Sequence, residues 1–176
     1  MGDECFIKAS KDDKLDRIKR FVAQGANPAY RDGKGINAIM YASAYNHLPV
    51  VKYLLSLQGN HPANVNDIGK TALIYAVCNG HYEVTDLLLK DGRCDPTIVT
   101  NDGDTAIKIA IKLAVTRGHD RIVELLLSDT RVVKALRAED GVPPADIARA
   151  IARNACRRRR AAVCAFASYW EARAAD

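Results

Sequence analysis

Apolar side chains recur in short blocks separated by polar breaks. AIMYA begins at residue 38, ALIYA at 72 and AIKIA at 106. Each is followed by a second block: VVKYLL over 50–55, VTDLLL over 84–89 and IVELLL over 122–127. Each pair of blocks predicts two short helices joined by a hinge, since apolar positions crowd one face of each block. The hinges read Asn46-His47, Gly80-His81 and Gly118-His119. Thr71 stands where a helix-opening residue belongs.

The pattern has a fixed period. Gly35, Gly69 and Gly103 are 34 residues apart, as are Pro28, Pro62 and Pro96. Asn37, Thr71 and Thr105 each follow one of those glycines by two positions. His47 and His81 keep the same 34-residue interval, and His119 lies 38 further on. Agreement in several independent columns predicts a solenoid of stacked units. Tetratricopeptide repeats share the period, but the turns argue against them. Asp32-Gly33-Lys34-Gly35, Asn66-Asp67-Ile68-Gly69 and Thr100-Asn101-Asp102-Gly103 carry the glycine a tight hairpin needs for positive φ.

In these residues the sequence resembles the ankyrin repeat family, whose pattern runs Asp-x-x-Gly-x-Thr-Pro-Leu-His-x-Ala, then Gly-His, then Val-Val-x-x-Leu-Leu. The resemblance is strongest from Asp32 to Leu127. It implies an all-α solenoid of helix-turn-helix units joined by β-hairpin loops. About five units are expected, near 3–31, 32–65, 66–99, 100–137 and 138–176, with degenerate units at both ends. In the first, Ala9, Ile18, Phe21 and Val22 fill repeat slots and Asp13-Lys14 replaces Gly-His. In the last, Glu139-Asp140-Gly141 takes the hairpin slot, and Val163, Phe166 and Trp170 recur at helical spacing. End units have one neighbour and are expected to be atypical.

The departures from the pattern carry expectations of their own. Ala38, Ala72 and Ala106 replace the family's proline, which a first helical turn accepts equally. Met40, Ile74 and Lys108 replace its hydrogen-bonding histidine, so a looser loop network is expected. Four extra residues before Gly118 predict one more turn in that first helix. Gly80, Gly118 and Asn46 end first helices in the left-handed conformation, and the histidine after each is placed to bond backbone at the turn.

Composition narrows the function. Apolar residues make up 48% and charged residues 27%, ordinary for a folded domain, so disorder does not dominate. No apolar run is long enough for a membrane span, and the charged start MGDECFIKASKDDK lacks a secretory signal's apolar middle. Phe6 stands where a myristoylation motif requires Ser or Thr. Cys5, Cys78, Cys94, Cys156 and Cys164 are odd in number and show no Cys-x-x-Cys spacing, which points to cytosolic thiols and away from disulfides or zinc. A cytoplasmic location is expected.

No nucleophile elbow, Walker loop or His-Glu-x-x-His occurs. Three stacked histidines about 10 Å apart do not converge on a metal. No enzyme activity, metal or cofactor is expected.

The resemblance instead implies a face that binds another protein, made of hairpin tips and first helices on the concave side. Carried over slot by slot, it comprises Lys34, Ile36, Tyr45, Asp67, Ile68, Lys70, Asn79, Asn101, Asp102, Asp104, Arg117, Glu139 and Asp140. Ile36, Tyr45 and Ile68 are apolar or aromatic where solvation favours polar side chains, which marks candidate anchors. The tips turn acidic from Lys34 toward Glu139-Asp140. The chain is expected to be monomeric when alone.

The net charge of +5 lies in the tail. Residues 149–176 hold seven Arg against Glu171 and Asp176, and residues 1–148 hold 19 basic and 19 acidic side chains. The cluster Arg153, Arg157, Arg158, Arg159 and Arg160 supports an alternative: nuclear import, or a nucleic-acid-associated regulator. The array itself has no net charge, which disfavours nucleic acid as partner.

Overall fold

The computed structural model describes residues 2–59 and 61–139. The chain divides into two compact units, Met1–Thr105 and Ala106–Asp176. The first contains three helix pairs: α1 (Gly2–Lys11) with α2 (Leu15–Ala23), α3 (Ala38–Ala44) with α4 (Leu48–Ser56), and α5 (Ala72–Asn79) with α6 (Tyr82–Lys90). Helix α3 lies between α1 and α5, each first helix packs on its own second helix, and α4 also meets α6. The second unit contains α7 (Ala106–Arg117), α8 (Asp120–Ser128) and α9 (Thr130–Glu139), with α8 packed on both α7 and α9.

Short helices such as these need strong end signals, because isolated helices of this length are marginal. Asn37 and Thr71 supply them. Each sits in extended backbone, and its side-chain oxygen accepts the N–H three residues on, from Met40 at 3.1 Å and from Ile74 at 3.2 Å. The first helices stop where the sequence predicts. Asn46, Gly80 and Gly118 have φ of 62°, 79° and 78°. Asp13, in the degenerate first unit, holds the same conformation at 56°.

The core repeats in columns. In the first unit Ala42 and Ala76 are fully buried where α3 packs on α5, and Leu54 and Leu88 on the second helices; in the second unit Ala110 and Leu126 are fully buried at the equivalent positions. Burial of one such leucine contributes about 1.5–3 kcal/mol. In the first pair, Phe6 and Ile18 are fully buried, while Phe21 and Val22 are half-buried.

Two expectations are refined here. Helix α7 spans 12 residues against 8 in α5, so the four-residue insertion is absorbed as a turn of helix. The hairpins, however, are tighter than the sequence suggests. Among the described residues no named strand occurs, and Arg31–Asn37 forms one isolated antiparallel bridge. Each loop has a turn bond from its glycine N–H to the first residue's carbonyl and one cross-loop bond of the same register: Asp32 N–H to Ile36 O (3.0 Å), Asn66 N–H to Lys70 O (3.0 Å) and Thr100 N–H to Asp104 O (2.9 Å). Asn37 and Thr71 already begin the next helix, which leaves no length for a ladder. Helix α9 crosses the boundary expected near residue 137, so Glu139 ends a helix where a hairpin tip was expected.

Candidate binding face

The hairpin tips of the first unit are tied to one another. Asp67 N–H donates to Lys34 O at 3.3 Å, and Asn101 N–H donates to Ile68 O at 3.2 Å, the equivalent bond one repeat later. The Asn101 side-chain amide adds a 2.9 Å bond to Asp67 O. The approach is close enough to require glycine. A Cβ on Gly69, whose φ is +75°, would lie 2.8 Å from Asn101 N; one on Gly35 would lie 2.5 Å from Asp67 Oδ1.

Within each tip, one side chain organises the loop. Asp32 Oδ1 accepts N–H groups from Lys34 and Ile36, both at 2.9 Å, and Asn66 Oδ1 accepts from Ile68 (3.2 Å) and Lys70 (2.8 Å). The loop network expected to be loose has been rebuilt one residue along. Met40 and Ile74 are buried in the core, and the following tyrosines reach the loops. The Tyr41 hydroxyl donates to Asp32 Oδ2 at 2.7 Å, and the Asn66 amide donates to Tyr75 Oη at 2.9 Å.

These contacts set the electrostatics. Partial burial pushes the Asp32 carboxyl upward, but the Tyr41 hydroxyl, the two N–H groups and the Lys34 charge outweigh it and hold it below its ordinary value. Tyr41 is pushed up to about 12 by burial, then by its bond to the Asp32 carboxylate. Tyr75 is raised by burial and by the Asp32 charge.

Tyr41, Tyr45 and Tyr75 line a cleft of about 220 Å³ with Ile36, Met40, Ala44 and Asn79. Tyr45 is 50% exposed and stacks on His47, ring centroids 6.1 Å apart. The Lys11 ammonium lies over both Tyr41 (5.9 Å) and Tyr45 (5.7 Å). A second groove of about 430 Å³ runs past Lys8, Lys11, Tyr30, Asp32 and Tyr41.

The structure therefore brings Ile36, Tyr45 and Asn79 together at the cleft and Lys34, Asp67, Ile68 and Asn101 together along the tips. Ile68 is 49% exposed; Lys34, Asp67, Asn101 and Asp102 are exposed, and Lys70 and Asp104 are partly covered. Arg117 is exposed at the end of α7, in the second unit. Asp140 and the cluster Arg153, Arg157, Arg158, Arg159 and Arg160 lie outside the described residues. Sequence reasoning missed Lys11, Tyr41 and Tyr75. The 34-residue recurrence of tyrosine, one position after the family's histidine slot, was the available signal.

The hinge histidines of the first unit, His47 and His81, are occupied. His47 Nε2 donates to Lys11 O at 2.8 Å and His81 Nε2 to Ala44 O at 2.9 Å. Among the described residues no group of three or more His, Cys, Asp or Glu is placed to hold a metal, and no helix is long and apolar enough to cross a membrane.

Helix pairs capped at a fixed register, with hairpins laced tip to tip, define a class of repeat protein. A family model described as ankyrin repeats (3 copies) matches residues 6–100, and the chain belongs to the ankyrin repeat family. Members are generally protein–protein interaction modules and are typically non-catalytic. No curated protein matches the chain.

Proposed function

We propose that this chain is a non-catalytic module that captures another protein on the face formed by α1, α3, α5 and the hairpin tips. The carrying observation is the tyrosine cleft with Tyr45 half exposed at it, together with Ile68, half exposed on the second hairpin tip. Exposed apolar groups on a pre-organised surface are suited to act as anchors, because little conformational freedom is lost when they are covered. The caps, tip bonds and tyrosine–loop bonds supply that pre-organisation.

The test is capture of a partner from lysate by the immobilised full chain, with identification by mass spectrometry. Tyr45→Ala combined with Ile68→Ala should cut recovery of that partner at least tenfold, while unfolding shifts by no more than about 1 kcal/mol. Undiminished capture by a folded double variant would refute this choice of face.

A further inference from the structure

We propose that this face also reads charge direction. It accepts an extended partner segment with an acidic side chain at one end, a large apolar one in the middle and a basic one at the other. The inference rests on the binding face proposed above and specifies what fills it.

The tip-to-tip bonds hold the three hairpins in fixed order, so their charges form a series. The first tip presents Lys34, the second balances Asp67 against Lys70, and the third presents Asp102 and Asp104. Lys11 strengthens the basic end. Its ammonium lies over Tyr41 and Tyr45, and it has no carboxylate at ion-pair distance among the described residues. Of the acids at that end, Asp32 already accepts three hydrogen bonds from its own loop and Tyr41, and Asp13 faces His47 Nδ1 at 3.7 Å. Glu4 and Asp12 share the neighbouring groove with Lys8 and Lys11. Lys11 thus lies over two of the cleft tyrosines, and Lys34 stands on the hairpin tip whose Ile36 lines the cleft.

The middle of the series is apolar. The cleft of about 220 Å³ is smaller than the roughly 300–1,000 Å³ of small-molecule sites, and suits one inserted side chain. Packed helices lie about 8–10 Å apart, and an extended chain advances about 3.3 Å per residue. About three residues of a bound segment thus span one repeat. The acid falls about three positions from the apolar anchor, and the base about three positions beyond it.

The probe is a random-peptide display library selected on the full chain. Selected peptides should show acids on one side of a large apolar residue and bases on the other, in one consistent order, enriched at least tenfold over the reverse. Lys11→Glu with Lys34→Glu should exchange acid for base on one side only, and Asp102→Lys should do so on the other. A pool without charge order, or a swap at one end that changes both sides, overturns the directional reading. If such an unordered pool is still lost on Tyr45→Ala with Ile68→Ala, the binding face stands and its direction does not. A pool indifferent to those two changes, or a library that yields no binder, overturns both.

Discussion

His81 reaches back 37 residues to donate its Nε2–H to the carbonyl of Ala44, at 2.9 Å. Ala44 ends α3, where carbonyls have no partner within the helix. His47 does the same for Lys11, at the end of α1. The histidine that looks isolated in the sequence is the C-terminal cap of the preceding repeat's first helix. It answers a need one repeat away, and the bond fixes the proton on Nε2.

His81→Ala should therefore destabilise the protein by about 1–3 kcal/mol, the cost of leaving a partly buried carbonyl without its donor. The control is His61→Ala. His61 is exposed, and its loss should stay within about 0.5 kcal/mol. Urea unfolding of the two variants measures the contrast; equal shifts would refute the capping role.

Gly69→Ala should cost more than Gly25→Ala. Both positions have positive φ, +75° and +86°, so both pay for a left-handed non-glycine residue, about 1–2 kcal/mol. Around Gly25 a Cβ meets nothing within 4 Å, whereas at Gly69 it would meet the backbone of Thr100 and Asn101 at about 3 Å or less. Gly69→Ala should lower the melting temperature further by several degrees, read by circular dichroism.

Tyr41→Phe should change the pH dependence at both ends. Asp32 is held below its ordinary value of 3.8, so its contribution is complete above that value and is lost as pH falls through the lower folded value. Without the Tyr41 hydroxyl this acid-side loss should shrink, at a cost of about 1 kcal/mol near neutrality. Tyr41 itself is raised from 10.0 to about 12. Its contribution is complete below pH 10 and is lost as pH rises toward 12. The variant should lack that alkaline segment in unfolding curves recorded from pH 2 to 12.

Glu124→Gln should stabilise the second unit near neutral pH. Burial and the neighbouring Asp120 raise the Glu124 carboxyl, and its Oε1 is buried without a hydrogen-bond partner among the described residues. A raised carboxyl favours the fold while protonated, and that benefit is lost as pH rises through its folded value. The expected gain is about 1–2 °C in melting temperature at pH 7 and none at pH 3.

The residues that punctuate the chain were legible because their chemistry is local. Asn46, Gly80 and Gly118 announce left-handed backbone by residue type alone, and Asn37 and Thr71 announce helix starts. Asp13 was assigned to the hinge slot from the repeat register, and its backbone conforms. What the sequence concealed was relational. Tyr41 and Tyr75 look like ordinary half-buried helix positions until their loop partners, Asp32 and Asn66, are placed. Lys11 belongs to a degenerate unit, and its place over two tyrosines of the next unit has no one-dimensional signature. The strand content was overestimated for a related reason: the turn residues specify the closing bond but not the length of the arms.

Four polar links from hinge and tip run backwards along the chain: His47 to Lys11, His81 to Ala44, Asp67 to Lys34, Asn101 to Ile68. In these four the donor is the later repeat, and what it grips is a main-chain oxygen, which every residue possesses; Arg31 Nη1 runs the other way, donating to Val65 O at 3.1 Å. At these bonds a unit can therefore be copied, inserted or exchanged, provided the one it follows keeps its tip glycine, as Gly35 and Gly69 do. Lineages of this architecture can lengthen by simple duplication, and engineers can splice them at the same joint.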